Sequence, residues 1–281
     1  MKIGAHQSIA GGLQLAPQRA ASIGLECFQM FTKAPQNWQE PELTSRQISL
    51  FQNTCRQCGF ESGQIAVHAS YLVNPCSAVE STRKKAVAAL VNEAMRCDSL
   101  QIAYLVFHPG SPGKQGEDMG IALVADAVQN ALAVTRDVTL LIENTAGSGK
   151  SIGHRFEHIA AIVALVGNDN RIGCCFDTAH AFAAGYDIST VSGASSVFGA
   201  FDDAVGLERL KWMHLNDSRT GLGSRVDRHE KIGEGRIGET FFQWLVNASF
   251  ATRINCTLET PINKNETYEA AVSALKALRN Q

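Results

Sequence analysis

The sequence lacks any apolar run that approaches the length of a membrane span, which needs about 20 consecutive apolar residues. Its first residues, MKIGAHQSIAGG, also lack the apolar core of a secretion signal. The eight cysteines are scattered, and several fall inside apolar runs, which is typical of reduced core thiols. We therefore expect a soluble, cytoplasmic protein without a membrane partner.

An excess of charge of one sign is also missing, because 25 basic residues face 27 acidic residues and the net charge is −2. Such a chain has no overall attraction to nucleic acid, so any polyanion binding requires a local basic patch. One candidate is GSRVDRHEKIGEG, residues 223–235. No linker, low-complexity tract or shift in composition divides the chain, which favours a single domain over residues 1–281.

Short β-rich runs alternate with segments of helical periodicity along the whole chain. The runs are KIGAH (2–6), CFQMF (27–31), QIAVH (64–68), AYLVFH (103–108), VTLLIE (138–143), IGCCFD (172–177), KWMHL (211–215) and NCTLE (255–259). Parallel strands need helical crossovers, and eight such strands close into a cylinder filled by side chains. The pattern predicts an α/β fold, a TIM (β/α)8 barrel, with an open doubly wound sheet as the alternative.

Most of these runs end, or nearly end, on a residue that can bind a metal ion. These residues are His68, His108, Glu143, Asp177, His214 and Glu259. The active site of such a barrel lies at the carboxyl ends of its strands, so we expect the six side chains to converge. One histidine after a strand is more often structural, but six candidates on one rim reverse that preference. The nearby residues His180, Asp227 and His229 extend the set to five histidines and four carboxylates.

The size of this set indicates how many ions it could hold. A catalytic zinc takes about three protein ligands, so nine candidates fit two or three ions. Nitrogen and oxygen ligands favour zinc, with manganese or iron as alternatives, and disfavour a thiolate site. Clustered divalent ions suit the hydrolysis of phosphate esters. Two other histidines, His154 and His158, lie near the start of a predicted helix, where surface or capping roles suffice.

Two further patterns resemble known motifs without their context. Cys55-x-x-Cys58 lies on the apolar face of a predicted helix and has no second cysteine pair, so core packing explains it better than redox or zinc chemistry. The spacing of Gly233, Gly235 and Gly238 matches a dinucleotide fingerprint, but it follows a charged loop and not a first strand. We therefore predict no nicotinamide or flavin cofactor.

Seven motifs together resemble one family. They are VHASYLVN, FHPGS, LIENTAG, FDTAHAFAAGYD, MHLNDS, GSRVDRHEKIGEG and LETP, and they occur in the order seen in the endonuclease IV family of zinc-dependent apurinic/apyrimidinic endonucleases. The resemblance extends from GAHQSIAGG at the start of the chain to LETP near its end.

The resemblance implies a TIM barrel that cleaves duplex DNA on the 5′ side of abasic sites. The products would be a 3′-hydroxyl and a 5′-deoxyribose phosphate, and the enzyme would also remove 3′-blocking groups. The partner is then double-stranded DNA that contains abasic sites, and the protein is expected to be a monomer.

The resemblance also assigns roles to the nine candidate ligands, with three Zn²⁺ ions per chain. The implied sets are His68, His108 and Glu143 for one zinc; Glu143, Asp177, His214 and Glu259 for a second; and His180, Asp227 and His229 for a third, buried zinc. All nine positions carry the residue type that the family uses. Glu143 and Glu259 would be the catalytic carboxylates beside the attacking hydroxide.

Members of this family bend DNA and flip the abasic nucleotide out of the stack, with side chains wedged into the gap. The resemblance places Tyr71 and Leu72 in this wedge. A second wedge element follows the second strand, where the family usually has an arginine and this chain has Gln36, so we expect a weaker or altered grip there. Arg225 and Arg228 are expected to face the DNA phosphates, as is Lys231.

Two other functions remain open at this point. Sugar isomerases and epimerases of the same barrel superfamily bind one divalent ion through the subset Glu143, Asp177, His214 and Glu259. A one-metal isomerase, however, has no use for the other five candidate ligands. A protein that binds damaged DNA without cleaving it is the third reading, and the intact ligand set argues against it.

Overall fold

The structure, a computed structural model, describes residues 1–38, 41–262 and 266–279, and within them eight parallel strands close into a barrel. The barrel strands are β1 Lys2–Gln7, β2 Phe28–Met30, β3 Ile65–His68, β4 Tyr104–Phe107, β5 Thr139–Glu143, β6 Ile172–Asp177, β7 Leu210–His214 and β10 Asn255–Leu258. The TIM barrel prediction is confirmed. Each β-rich run of the sequence corresponds to one of these strands, with ends that differ by no more than one residue.

Strand order in the barrel follows chain order, and β10 closes the cylinder against β1 with Lys2 opposite Asn255. The helices of the described chain are α1 Leu15–Ser22, α2 Ser45–Gln57, α3 Glu80–Leu100, α4 Glu117–Leu132, α5 Phe156–Leu165, α6 Thr178–Ala184, α7 Val191–Ala204, α8 Glu239–Asn247 and α9 Glu269–Ala277. Their apolar faces pack on the outside of the barrel, as Leu90 and Ala94 of α3 illustrate. Among the described residues, no helix has the length and apolar character that crossing a bilayer requires.

The inside of the barrel is filled by a second, smaller cluster of side chains. Its buried members are Cys27, Ala66, Val106, Leu141, Cys175 and Trp212. The Trp212 indole Nε1 donates a hydrogen bond to Thr257 Oγ1 at 3.0 Å. Side chains alternate between the two faces of a strand, so the residue two positions further along points inward one level higher. The cluster is therefore the floor beneath the carboxyl ends of the strands.

A β-hairpin whose two strands have two residues each lies between β7 and α8. Strand β8, Asp217–Ser218, pairs antiparallel with β9, His229–Glu230, so Ser218 lies opposite His229. The segment between them, residues 219–228, contains the first part of the basic stretch, from Gly223 to Arg228. The hairpin therefore brings this stretch back to the end of β7.

Candidate metal centre

The carboxyl ends of the barrel strands carry six of the predicted ligands. The last residues of β3, β5, β6 and β7 are His68, Glu143, Asp177 and His214. His108 and Glu259 each follow the last residue of their strand by one position. On five strands the inward residue two positions earlier belongs to the barrel floor, as with Ala66 below His68 and Leu141 below Glu143. Strand alternation therefore explains why these side chains meet at one mouth.

Glu143 is fully buried and each of its oxygens faces a different set of histidines. Its Oε2 lies 3.0 Å from His68 Nε2 and 3.0 Å from His108 Nε2. Its Oε1 lies 2.9 Å from His214 Nδ1. The ligand atoms of His68, His108 and Glu143 are within 4.8 Å of one another, a spacing that one metal ion can bridge.

A second group forms around His214 Nδ1. Besides Glu143, this nitrogen faces Glu259 Oε2 at 3.4 Å and Asp177 Oδ2 at 3.8 Å. The ligand atoms of these four residues also lie within 4.8 Å of one another. Glu143 thus takes part in both groups, one oxygen in each.

A third group contains the two candidates from the basic stretch. Asp227 Oδ2 lies 3.2 Å from His180 Nε2, and Asp227 Oδ1 lies 3.3 Å from His229 Nε2. Asp177 Oδ2 approaches His229 Nε2 to 3.6 Å, so Asp177 borders both the second and the third group. Although the third ion was expected to be buried, the Asp227 side chain is 47% exposed, because it closes the group from the solvent side.

Hydrogen bonds fix the protonation of three of these histidines. His68 Nδ1 lies 2.7 Å from the Ala69 carbonyl, and His180 Nδ1 lies 2.9 Å from the Asn144 carbonyl. A carbonyl oxygen only accepts, so each Nδ1 carries the proton. His214 Nε2 likewise donates to Gln29 Oε1 at 2.8 Å. In its neutral form, each ring therefore turns the lone pair of its other nitrogen toward the carboxylates.

Lone pairs that face carboxylate oxygens at about 3 Å repel one another unless a cation lies between them or the ring is protonated. His229 Nε2 adds to this picture, because it is a buried atom without a hydrogen-bond partner. The orientation of metal-binding imidazoles by backbone carbonyls and amides is typical of protein metal sites. The residues present therefore fit divalent cations that take nitrogen and oxygen ligands.

The pKa shifts also indicate that the buried carboxylates are stabilised by positive charge. Burial by itself would lower the pKa of His180, but Asp177 and Asp227 outweigh it and raise the pKa well above its usual value. Burial would raise the pKa of Glu143, yet His214 and His108 hold it well below the usual range. For the same reason the pKa of Glu259 falls to about 2, with His214 and His68 as the main opposing charges. The acids stay ionised and need cations nearby.

Sequence reasoning missed the buried amides that hold these ligands in place. Asn216 Nδ2 donates to Asp177 Oδ2 at 2.7 Å, and Asn216 Oδ1 accepts the Glu259 backbone N–H at 2.9 Å. Asn144 Oδ1 accepts the Asp177 backbone N–H at 2.7 Å. Each asparagine follows a ligand by one or two positions, which was the available signal in the sequence.

The glycine-rich segment after β9 wraps around a buried carboxylate. Asp217 Oδ2 accepts backbone N–H groups from Gly233, Gly235 and Gly238 at 3.0, 3.1 and 3.3 Å. A Cβ on Gly235 would lie 2.3 Å from Asp217 Oδ1. The glycine spacing thus serves close backbone approach to Asp217, which explains why it resembles a dinucleotide fingerprint.

The structure corrects one prediction about the remaining histidines. A surface or capping role was expected to suffice for His158, but its side chain is buried, and its Nδ1 accepts the Gly153 N–H at 3.2 Å. Its burial follows from the packing of α5, which the helix pattern alone does not reveal. Its Nε2 faces Glu117 Oε2 at 3.3 Å, and Arg155 binds the same oxygen at 2.8 Å. Because Arg155 already supplies positive charge there, this group needs no metal ion.

The cysteine pair of α2 behaves as predicted. Cys55 is buried and packs into the main core, and burial raises the pKa of its thiol to about 12. Cys58 is partly buried against the same core, and both are free thiols. Core packing therefore accounts for the pair.

The residues expected to contact DNA lie in exposed loops. Gln36, Arg225 and Arg228 are exposed, and the Tyr71 side chain is 65% exposed with Leu72 half-buried beside it. Lys231, in contrast, pairs with Glu266, with 3.2 Å between Lys231 Nζ and Glu266 Oε2. The expectation that this lysine faces phosphate is therefore weakened by an internal partner.

Comparison with known proteins shows which family the chain resembles. A family model described as xylose isomerase-like TIM barrel matches residues 17–279. Endonuclease IV from Thermus thermophilus is 36% identical over 99% of this chain and 98% of that chain, with a TM-score of 0.87.

More distant structures share the fold alone. A structure described as AsfvAP:AG is 19% identical over 99% of this chain and 98% of that chain, with a TM-score of 0.78. The 3-keto-D-glucoside 4-epimerase YcjR from E. coli is 13% identical over 99% of this chain and 98% of that chain, with a TM-score of 0.70. Since the family model spans most of the chain and the Thermus enzyme matches almost all of it, this protein belongs to the xylose isomerase-like TIM barrel family and, within it, to the endonuclease IV family.

Proposed function

We propose that this protein is a zinc-dependent DNA repair endonuclease that hydrolyses the phosphodiester bond 5′ to abasic sites in duplex DNA. It leaves a 3′-hydroxyl and a 5′-deoxyribose phosphate, and it also removes 3′-blocking groups. The observation that supports the proposal best is the set of nine candidate ligand side chains in three adjoining groups at the barrel mouth, with Glu143 shared between two of them.

The chemistry divides between the ions and the residues that hold them. Clustered zinc ions, when bound, lower the pKa of water toward neutrality and stabilise charge on the oxygens of an in-line displacement. Glu143 would help to hold two of the ions, because its Oε2 faces His108 and its Oε1 faces His214. Glu259 and Asp177 would complete the second group. No side chain of the protein needs to act as the nucleophile.

The loops beside the mouth support DNA as the substrate. Ser70 Oγ donates a hydrogen bond to the Pro35 carbonyl, so the loops after β2 and β3 are tied together next to Gln36 and Tyr71. This contact would present Gln36, Tyr71 and Leu72 as one projecting edge. We propose that this edge enters the gap that an extruded abasic nucleotide leaves in the stack.

Cations from separate loops border a cleft on the other side. Lys114, Lys150 and Arg225 line this cleft together with Glu117 and Asp118, and its volume is about 640 Å³. Ser148 Oγ donates to the Arg225 carbonyl at 2.5 Å and holds two of its walls together. With Arg228 nearby in sequence, these cations supply the local basic patch that a chain of net charge −2 needs to bind a DNA backbone.

A sugar epimerase is the second candidate, because Glu143, Asp177, His214 and Glu259 form a four-ligand group by themselves. That reading leaves the His68–His108 pair and the His180–Asp227–His229 group without a role. The endonuclease uses all nine residues and is therefore preferred.

Incision of a defined duplex tests the proposal. Zinc-loaded protein should nick duplex DNA that carries a single tetrahydrofuran abasic analogue, on its 5′ side, and should leave an undamaged duplex intact. Glu143→Ala and Glu259→Ala should abolish the nick, whereas Glu117→Gln, in the group neutralised by Arg155, should retain it. A zinc-replete protein that leaves the abasic duplex uncut would contradict the assignment.

A further inference from the structure

Gln29 is a polar residue in the otherwise apolar run CFQMF, and its side chain is fully buried. It lies on β2, which pairs with β1 and β3 but not with β7 or β10. The register places it opposite His6 on β1 and Ala66 on β3. To reach ligands at the ends of β7 and β10, its side chain must therefore cross the barrel mouth.

The Gln29 amide makes two short hydrogen bonds to predicted metal ligands. Its Nε2 donates to Glu259 Oε1 at 2.6 Å, and its Oε1 accepts from His214 Nε2 at 2.8 Å. Its Nε2 is also 3.3 Å from His6 Nδ1. One uncharged side chain thus links two ligands of the second group.

The orientation of this amide follows from the chemistry of its partners. A carboxylate oxygen accepts hydrogen bonds, so the NH₂ of Gln29 faces Glu259 Oε1. The carbonyl oxygen of Gln29 then faces His214 Nε2, which must carry a proton. In the neutral ring, His214 Nδ1 is thereby left with its lone pair directed at Glu143 Oε1 and Glu259 Oε2.

Gln29 also determines which oxygen of the Glu259 carboxylate faces the second group. It holds Oε1, while Oε2 remains free to face His214 Nδ1 at 3.4 Å. On the other side, Asn216 Oδ1 holds the Glu259 backbone N–H at 2.9 Å. Rotation of the carboxylate would break the bond to Gln29, so the amide fixes which oxygen points into the group.

We propose that Gln29 is a positioning residue of the metal centre, which sets the tautomer of His214 and the rotation of Glu259 so that both present a lone pair to the same ion. This inference rests on the metal centre of the proposed function. A residue that positions ligands in this way typically changes metal affinity by about 10–100-fold when it is removed.

Zinc retention by the purified, zinc-loaded protein tests this role. Gln29→Leu has a side chain of similar size but no hydrogen-bonding group. In competition with graded concentrations of a chromophoric chelator, we expect this variant to release one zinc at about 10–100-fold lower chelator activity than the wild type does. We expect the release of the remaining zinc to change less.

Met30→Ala is the matched control, because Met30 is the next residue of β2, is fully buried and packs in the core between barrel and helices. It should lower the thermal midpoint without changing the order or ease of zinc release. If Gln29→Leu holds zinc as tightly as the wild type, or loses it no more readily than Met30→Ala does, Gln29 is ordinary packing and the proposal is overturned.

A measurement on the wild type keeps the proposal testable if Gln29→Leu does not fold. Long-range ¹H–¹⁵N correlation of the zinc-loaded protein should show the His214 proton on Nε2, and a proton on Nδ1 would overturn the assignment. Both experiments use no DNA, so they report on Gln29 even if abasic DNA is not cut. A wild type without bound zinc would instead overturn the metal centre itself.

Discussion

Glu143 lies where two ligand groups meet, since its Oε2 faces His68 and His108 and its Oε1 faces His214. Removal of this carboxylate should therefore affect two ions at once. We predict that Glu143→Ala reduces the zinc content from about three ions per chain to about one, measured by inductively coupled plasma mass spectrometry.

Glu117→Gln is the control for this measurement, because Glu117 belongs to a separate group in which Arg155 already binds its carboxylate. This variant should keep the zinc content of the wild type. A Glu143→Ala protein that still holds about three ions would show that the two groups do not share this residue.

Tyr71 has the exposure expected of a wedge residue, and it has no role in the metal groups. We predict that Tyr71→Ala weakens binding to abasic duplex DNA by about 1–3 kcal/mol, the range observed for stacking of one base on an aromatic ring. Fluorescence anisotropy with a labelled duplex measures this change. Leu165→Ala, an exposed apolar residue of α5, is the control and should leave the affinity unchanged. Equal affinities for Tyr71→Ala and the wild type would remove Tyr71 from the interface.

At the scale of elements, the loop after β9 depends on close approach to Asp217. Gly235→Ala would place a Cβ 2.3 Å from Asp217 Oδ1 and 2.6 Å from the Ser218 carbonyl, so the loop must shift and lose hydrogen bonds. We predict a loss of about 1–3 kcal/mol in the free energy of unfolding, measured by urea denaturation.

Gly199→Ala should change the free energy of unfolding in the opposite direction in the same assay. Gly199 lies inside α7, and a Cβ there would meet no atom within 4 Å. Alanine should therefore stabilise the protein by about 0.5–1 kcal/mol through the lower entropy of the unfolded chain. If both variants behave alike, the account of the Asp217 loop is wrong.

The C-terminal end of the chain is tied to the first strand by Glu26. Arg279 binds both carboxylate oxygens, at 3.0 and 2.6 Å, and the Ile3 N–H donates to Oε2 at 2.8 Å. Burial would raise the pKa of Glu26, but Arg279 and the Ile3 N–H outweigh it and lower the pKa below 4.5. The stability from this contact is therefore present above pH 4.5 and is lost as the pH falls through the lower pKa of the folded state.

We predict that Arg279→Met lowers the free energy of unfolding by about 1 kcal/mol at pH 7, after allowance for partial exposure. The difference from wild type should shrink as the pH falls through the lowered pKa of Glu26 in the folded wild type, because below it the carboxyl is protonated in both proteins. Urea denaturation as a function of pH measures this. Lys84→Met, which removes an exposed pair with Glu80, is the control and should show no measurable change. A difference that persists at low pH would assign the effect to packing.

The strands were predictable from the sequence because each is a short apolar run between helical segments, and the six strand-end ligands followed from their places at the ends of these runs. The role of Gln29 was not predictable, because it depends on which side chains cross the mouth of a closed barrel. The burial of His158 likewise depends on how α5 packs beside Glu117. The spacing of apolar residues in a sequence predicts a helix or a strand, but it does not show which other elements that helix or strand packs against.

At the scale of the whole molecule, the candidate metal centre depends on the closed barrel, which brings its side chains together. The nine side chains come from the ends of six barrel strands, from α6 and from the hairpin segment that ends in β9. The epimerase fold with a TM-score of 0.70 shows that the barrel itself does not determine the chemistry. The proposed chemistry of this chain therefore depends on the candidate ligands at the barrel mouth.

The zinc content of the purified wild-type protein tests this central claim most directly. Mass spectrometry of protein purified without chelator, and loaded with zinc before exhaustive dialysis, should find about three ions per chain, because nine ligands supply about three for each. A content of one ion per chain would contradict the account and would favour the one-metal epimerase reading instead.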